Sequence, residues 1–392
     1  MREVVVVDAV RSPIGKKNGS LAATHALDLL ASVFKGLMAR TGVDPSEVGQ
    51  VVGGCVGQVG MQSMNVTRSA WLAAGLPLQV PATTIDTQCG SSQQASTLAY
   101  SLIASGVVDA AIACGVEIMS RVYLGSTTPK DPDVGKPINR TYWDHYEFTT
   151  QYEAAERMAG AWSISRTDTD AFGLMSQQRA ANAVLEDRFV SQIVPVEIRH
   201  RVADGEMLAE AEVFDRDETP RSTTLDGLAS LRPTGRADGV HTAGTSSQIA
   251  DGASAILLMS RGRANALGLT PLATIVDACL VGCDPVLMLE GPIPATRRLL
   301  EGNGMSMADI DLVEINEAFA TVVLAWEREL KPDMSRVNPN GGAIALGHPL
   351  GATGSMLITK AVHELNRSDG QHALVTMCCG GGLGTGTLLR RG

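Results

Sequence analysis

The chain says similar things twice, and that limits what it can fold into. Gly42-Val-Asp-Pro-Ser-Glu-Val-Gly-Gln-Val-Val and Gly304-Met-Ser-Met-Ala-Asp-Ile-Asp-Leu-Val-Glu share a glycine, a small residue before an acid, and an apolar run that opens a strand. Ala111-Ile-Ala-Cys-Gly115 matches Leu374-Val-Thr-Met-Cys378, which runs on to Gly380, in strand and glycine placement. Both pairs are offset by a little over 260 residues. Two matches at nearly one offset imply duplicated βα halves. Short apolar runs predict strands at 4–7, 50–53, 83–86, 109–114, 255–259, 273–277 and 373–377. Helical spacing predicts helices at 26–38, 68–74, 93–104 and 294–300. The alternation predicts an α/β fold. Duplicated halves bring corresponding strand ends around a shared centre, where α/β sheets build sites.

Residues 119–244 break this rhythm. They carry Lys130-Asp-Pro-Asp133, Trp143-Asp-His145 and a charged run over 197–221, with few buried-strand signals. One helix is expected there, starting at Thr167 and running to Leu185, with Asp168 and Asp170 in its first turn. The region reads as an insertion that covers something.

The formal net charge of −10 argues against nucleic acid or an anionic membrane as a partner. No apolar run approaches the about 18 residues of a membrane span. The seven cysteines are odd in number and dispersed. The chain opens directly into a strand. Both features lead to the expectation of reduced thiols in the cytoplasm. Cys378 and Cys379 are adjacent, and Cys279 and Cys283 have no paired Cys or His motif, so no metal site is expected.

Four stretches hold candidate chemistry. Residues 338–354 contain five glycines and two prolines around His348, which predicts a shaped loop ahead of a helix. An incidental histidine on a structural loop is the equal alternative. Cys89, in Asp86-Thr-Gln-Cys-Gly-Ser-Ser-Gln-Gln-Ala95, lies between a strand and a helix. The helix N-terminus favours a thiolate there, although a buried inert cysteine is the commoner outcome. Cys378 opens Cys-Cys-Gly-Gly-Gly-Leu-Gly-Thr-Gly386, whose free N–H groups suit an oxyanion or an anion. Asn316, in Val313-Glu-Ile-Asn-Glu-Ala-Phe-Ala320, suits a helix N-cap.

Taken in this order, Cys89, Asn316-Glu-Ala-Phe, Gly347-His348-Pro and Cys378-x-Gly-Gly-Gly strongly resemble the thiolase family. The resemblance runs over nearly the whole chain, and Arg11-Ser-Pro-Ile-Gly15 and His241-Thr-Ala-Gly-Thr-Ser-Ser247 fit it too. The nucleophile loop, Gln151-Tyr-Glu-Ala-Ala-Glu-Arg157 and Thr-Ser-Ser-Gln248 look most like thiolases of bacterial steroid side-chain degradation.

The resemblance implies a layered α/β/α/β/α core. Residues 1–118 with 245–268 would form one half, 269–392 the other, and 119–244 the inserted loop domain. It implies a Cys-based acetyl-CoA C-acyltransferase acting on a 3-ketoacyl-CoA. Cys89 would be the nucleophile and His348 its proton acceptor, within a few ångströms of the sulfur. Asn316 would hold a water, and Cys378 would be the acid/base at the acetyl α-carbon. Gly380 would supply an oxyanion-hole N–H. Gln151, Arg221, Ser222, Thr223 and Ser247 match positions that bind coenzyme A, which enters as a substrate and not as a tightly bound cofactor. A homo-oligomer, a dimer or dimer of dimers, is expected. Asp86, Ser92, Gln248 and Cys379 depart from common family residues, which tilts the reading from acetoacetyl-CoA towards a bulkier acyl chain. The rivals are a biosynthetic acetoacetyl-CoA thiolase, a ketoacyl synthase and a silent lipid-binding relative.

Overall fold

The computed structural model describes residues 1–198 and 211–392; part of the charged 197–221 run therefore lies outside the described residues. The first half begins with β1 (Val4–Arg11), β2 (Gly15–Lys16), α1 (Ala26–Thr41), β3 (Gln50–Gly54), α2 (Val66–Ala73), β4 (Ala82–Ile85), α3 (Ser91–Ala104) and β5 (Ala110–Ile118). Then come α4 (Arg140–Trp143), α5 (Gln151–Ala161), the 20-residue α6 (Arg166–Leu185), β6 (Val196–Ile198), β7 (Glu212–Phe214) and α7 (Leu225–Ala229). The regular pattern then resumes with β8 (Ala250–Ser260), α8 (Arg261–Ala266), β9 (Ala273–Gly282), α9 (Pro292–Gly302) and β10 (Leu312–Ile315). It closes with α10 (Ala320–Leu330), α11 (Ala343–Leu346), α12 (Leu350–Arg367), β11 (His372–Cys379) and β12 (Leu383–Arg391).

The repeat seen in sequence is a repeat in space. Outward from the centre, one side of the large sheet runs β1, β8, β5, β3, β4, and the other runs β9, β12, β11, β10. A parallel bridge between Val313 and Val337 stands where the second side would have its fifth strand. The sides join where Val4–Val6 pair antiparallel with Ala273–Ile275. Each matched segment also folds alike: a single 3-10 turn, at Pro45–Glu47 or Met307–Asp309, leads into β3 or β10.

Alternation explains the layers. In β1, Val4 and Val6 point to one apolar cluster, while Val5 and Val7 point to another. A strand buried on both faces must be apolar throughout. The shared cluster holds Ala99 and Ile103 of α3 and Ile358, Ala361 and Val362 of α12, against strands of both halves. Phe34 and Leu37 of α1 and Trp71 of α2 cover the outer face of the first half. Leu299 of α9 and Val323 and Trp326 of α10 cover that of the second. The order is α/β/α/β/α, as expected.

Three local expectations change. α6 is capped by Ser165 in a capping box with Asp168, so Thr167 lies inside the helix. Asn316 caps nothing, because α10 begins later and is preceded by Phe319. The loop around His348 ends at Pro349, and α12 already includes Gly351 and Gly354. Close packing explains those helical glycines. A Cβ on Gly351 would lie 2.7 Å from Cys55 Cα, and one on Gly354 would lie 2.3 Å from the Gln93 nitrogen.

Gln192 and Asp217, both within 119–244, are tied to Arg11 of β1. The Arg11 guanidinium donates to both oxygens of Asp217, at 2.7 and 2.8 Å, and to Gln192 Oε1 at 2.8 Å. Both charged side chains are fully buried. Removing one partner of such a pair costs about 3–5 kcal/mol.

Candidate active site

Cys89 stands where β4 hands over to α3. The residue before it, Gln88, holds φ +50°, a conformation costly for a side chain. The turn is held by Ser91, whose hydroxyl accepts from the Thr87 N–H at 2.9 Å and donates to the Gln88 carbonyl at 2.6 Å. Two backbone N–H groups aim at the Cys89 sulfur, one from Gly380 and one from Cys89 itself. Burial nevertheless dominates, and pushes the thiol up to about 11. The resting sulfur is therefore protonated at neutral pH.

His348 enters from the second half. Gly347 takes φ +92°, open to glycine at little cost, and a Cβ there would lie 2.7 Å from Ala250 Cβ. The His348 N–H donates to the Gln248 carbonyl at 2.9 Å. Gln248 Nε2 in turn donates to the carbonyls of Ile344 and Ala345 at 3.0 and 2.9 Å, which stiffens the mount.

The imidazole protonation follows from its neighbours. Thr353 Oγ1 donates to the Pro349 carbonyl at 2.9 Å, so it must accept from His348 Nδ1, 2.6 Å away. Asn316 Nδ2 lies 3.4 Å from Nε2 and can only donate. Nε2 is thus left with its lone pair. Burial pushes the imidazole down to about 4, so it rests neutral at neutral pH. No hydrogen bond joins it directly to Cys89; the two groups share the walls of one cavity. The Asn316 Oδ1 is buried with no protein partner.

Cys378 sits on β11, paired opposite Gly384. It is buried among Met288, Leu289, Ala318 and Phe319. Those four residues also line the cavity, whose lining does not include Cys378. Burial, then the nearby Cys89 and Cys379, hold its thiol well above the ordinary value.

The cavity gathers Cys89, His348, Gly380, Gln151 and Ser247. Arg221, Ser222 and Thr223 do not line it. They line a separate cleft with Gln177 and Gly244. Gly244 on that cleft and Ser246 on the cavity lie two residues apart in the chain. The Arg221 guanidinium donates to the Ala243 carbonyl at 3.2 Å.

Two supporting residues went unseen in sequence. Thr353 sets the imidazole tautomer; its place one helical turn after Pro349 was the available signal. Glu117 is almost fully buried at the end of β5. Its carboxylate accepts from the N–H groups of Val56, Gly57 and Gly351 at 3.0, 2.9 and 2.9 Å, and from Gln62 Nε2 at 2.7 Å. It ties β3, β5 and α12 together, and a lone glutamate in a strand announces none of this.

Comparison with known proteins agrees with this architecture. Residues 4–262 match the thiolase N-terminal domain, and residues 269–391 match the thiolase C-terminal domain. The chain is 44% identical to steroid 3-ketoacyl-CoA thiolase FadA6 of Mycobacterium tuberculosis, covering 100% of this chain and 95% of that protein. It is 40% identical to beta-ketoadipyl-CoA thiolase of Pseudomonas putida over the full length of both. The crystal structure of the Bacillus anthracis acetyl-CoA acetyltransferase superposes with a TM-score of 0.90 at 37% identity, covering 100% of this chain and 99% of that one. The chain belongs to the thiolase family. It is an acyltransferase of the thiolase type.

Proposed function

We propose that the protein cleaves a 3-ketoacyl-CoA with free coenzyme A, releasing acetyl-CoA and an acyl-CoA shortened by the acetyl unit. One observation carries the assignment of roles: a neutral imidazole with a free Nε2 shares a cavity with a thiol that two backbone N–H groups already address. Cys89 loses its proton to His348 and attacks the 3-keto carbon. The bond between that carbon and the α-carbon breaks, and its electron pair passes to the acetyl-CoA enolate. Cys378 protonates the enolate carbon. Cys378, now a thiolate, takes the proton of the CoA thiol; the CoA sulfur attacks the acyl-Cys89, and the Cys89 sulfur leaves and takes its proton back from His348.

The N–H groups of Gly380 and Cys89 serve as donors to the oxyanion formed on Cys89. The unpartnered Asn316 Oδ1 supports a role in holding water beside His348. Gln151 and Ser247, on the cavity, are proposed contacts for the pantetheine arm. Arg221, Ser222 and Thr223, on the separate cleft, are proposed for the nucleotide end. The proposed division is 1–118 with 245–268, 119–244, and 269–392, the middle part covering coenzyme A. Trp143, Tyr146 and Phe148 are each about half exposed there, which supports oligomer contacts through this part. A bulky acyl group, a steroid side chain included, belongs to the proposal, as does a cytoplasmic location. No described helix is long and apolar enough to cross a membrane.

The test mixes the purified protein with a panel of 3-ketoacyl-CoAs and free CoA and follows the ketoacyl enolate absorbance. Loss of the signal is expected, with an acyl adduct on Cys89 in mass spectra when CoA is withheld. No turnover with any member of the panel sinks the proposal.

A further inference from the structure

Asn316 and His348 come from distant stretches, and the contact between them is weak. Asn316 Nδ2 lies 3.4 Å from His348 Nε2, which is long for an N–H donor and fixes no geometry by itself. The spacing is set from behind, by the next residue in the chain. Glu317 stands where β10 gives way to α10 and is 1% exposed. Its Oε1 accepts from Asn338 Nδ2 at 2.9 Å. Its Oε2 accepts from Ser176 Oγ at 2.6 Å and from the Ile344 N–H at 3.1 Å. Ile344 lies in α11, and Gly347, which ends that helix, directly precedes His348. Asn338 spends its remaining groups on β10: Oδ1 accepts from the Ile315 N–H at 2.8 Å, and Nδ2 also donates to the Ile315 carbonyl at 2.9 Å. One carboxylate thus ties the strand end that carries Asn316 to the turn that carries His348. The loop closes tightly on it, since a Cβ on Gly342 would lie 2.3 Å from Glu317 Cδ.

The position suits a carboxylate and not an amide. Asn338 cannot turn its amide, because Ile315 takes the oxygen, and the Ile344 N–H can only donate. Each Glu317 oxygen therefore faces a fixed donor. Burial pushes its carboxyl up, opposed by the bonds from Ser176, Asn338 and Ile344 and by the nearby Lys360 ammonium. Lys360 itself is spent on a second brace of the same loop: Nζ donates to the Gly341 carbonyl and to Glu314 Oε2, each at 2.7 Å. A glutamine at 317 would turn an N–H against one of its donors.

We propose that Glu317 is a positioning residue that sets the spacing between the Asn316 amide and the His348 imidazole, and so governs how fast Cys89 becomes reactive. The inference rests on the thiolytic reading above, in which His348 takes the Cys89 proton. Glu317 does not line the reaction cavity and acts only through the two groups it holds.

The experiment compares the wild type, Glu317→Gln and Ser176→Ala by kcat, by KM for CoA, and by the rate constant for alkylation of Cys89 with iodoacetamide. The alkylation is read from peptide mass spectra at neutral pH without substrate. Its rate constant describes each folded molecule, so a smaller folded fraction does not move it. Glu317→Gln should lower kcat on the order of 100-fold and the alkylation rate constant about tenfold, with KM for CoA within about twofold of the wild type. Ser176→Ala removes one donor and keeps the carboxylate; it should lower kcat about tenfold. If Glu317→Gln does not fold, Ser176→Ala decides. Unchanged kcat and alkylation in the variants, with an active wild type, overturn the inference and leave the thiolytic reading intact. A raised KM for CoA at unchanged kcat overturns it too, because that places Glu317 in substrate binding. A wild type inert towards every 3-ketoacyl-CoA overturns both.

Discussion

The two central helices begin at matching places, yet their N-termini meet opposite fates. α3 belongs to the first half and seats its start on strand ends of the second: a Cβ on Gly90 would lie 2.5 Å from Cys379 Sγ, and the Gly380 N–H reaches Cys89. α12 belongs to the second half and seats its start on strand ends of the first: the Gly351 N–H donates to Glu117 at 2.9 Å. Both junctions offer the positive end of a helix. At α12 that end meets a carboxylate closed off by four donors. At α3 it meets thiols and an open cavity. A duplicated fold makes two equivalent junctions; here one is sealed and the other is left for chemistry.

Removing a group from each junction should therefore cost different things. Cys89→Ala should lower thiolysis to background, on the order of 10⁴-fold or more, with little change in unfolding free energy. Retained turnover would mean that the reactive junction is misassigned. Glu117→Ala should do the reverse and cost about 3–5 kcal/mol in urea denaturation, because buried donors lose their acceptor. A loss below about 0.5 kcal/mol would show that the α12 junction is not sealed by this residue.

The third comparison uses acid. The unfolded imidazole of His348 takes up a proton near its ordinary value of 6.5, while the folded one does so only near 4. Acid therefore favours the unfolded chain. Stability should fall between those values by roughly 3 kcal/mol, and His348→Asn should flatten that stretch of the pH–stability curve. An unchanged slope in the variant would remove His348 as the cause. The smallest effect is at Thr353. Thr353→Val should lower kcat about tenfold with KM little changed, because the Nδ1 partner that keeps Nε2 free is gone. Full activity would show that another group sets the tautomer.

Much of the fold was legible because its signals are local. The 3-10 turn and strand that open each half recur with the same residue types, and the apolar runs of β1 and β8 have no other stable use. The ends of elements were less legible. β5 runs on through Gly115 and Glu117 because its neighbours pair with it, not because those residues favour a strand. α12 starts early because Gly351 and Gly354 let it approach α3 and β3 closely, which no helical propensity reveals. In the site, Cys89, His348, Asn316 and Cys378 stood out through unusual glycine-rich or strand-end settings. Arg221, Ser222 and Thr223 line a cleft of their own with Gln177 and Gly244, and a charged loop carries no signal of which hollow it borders.

The sequence by itself determined that there are two like halves, and which side chains could act as nucleophile, base and acid. Only the tertiary structure decided which helix start opens on a cavity and which is closed by Glu117. That choice depends on contacts between residues far apart in the chain: Gly380 with Cys89, and Glu117 with Gly351. Each is a contact made across the two halves. Such a contact exists only once both halves have packed their central helices against each other, so neither stretch can encode it alone.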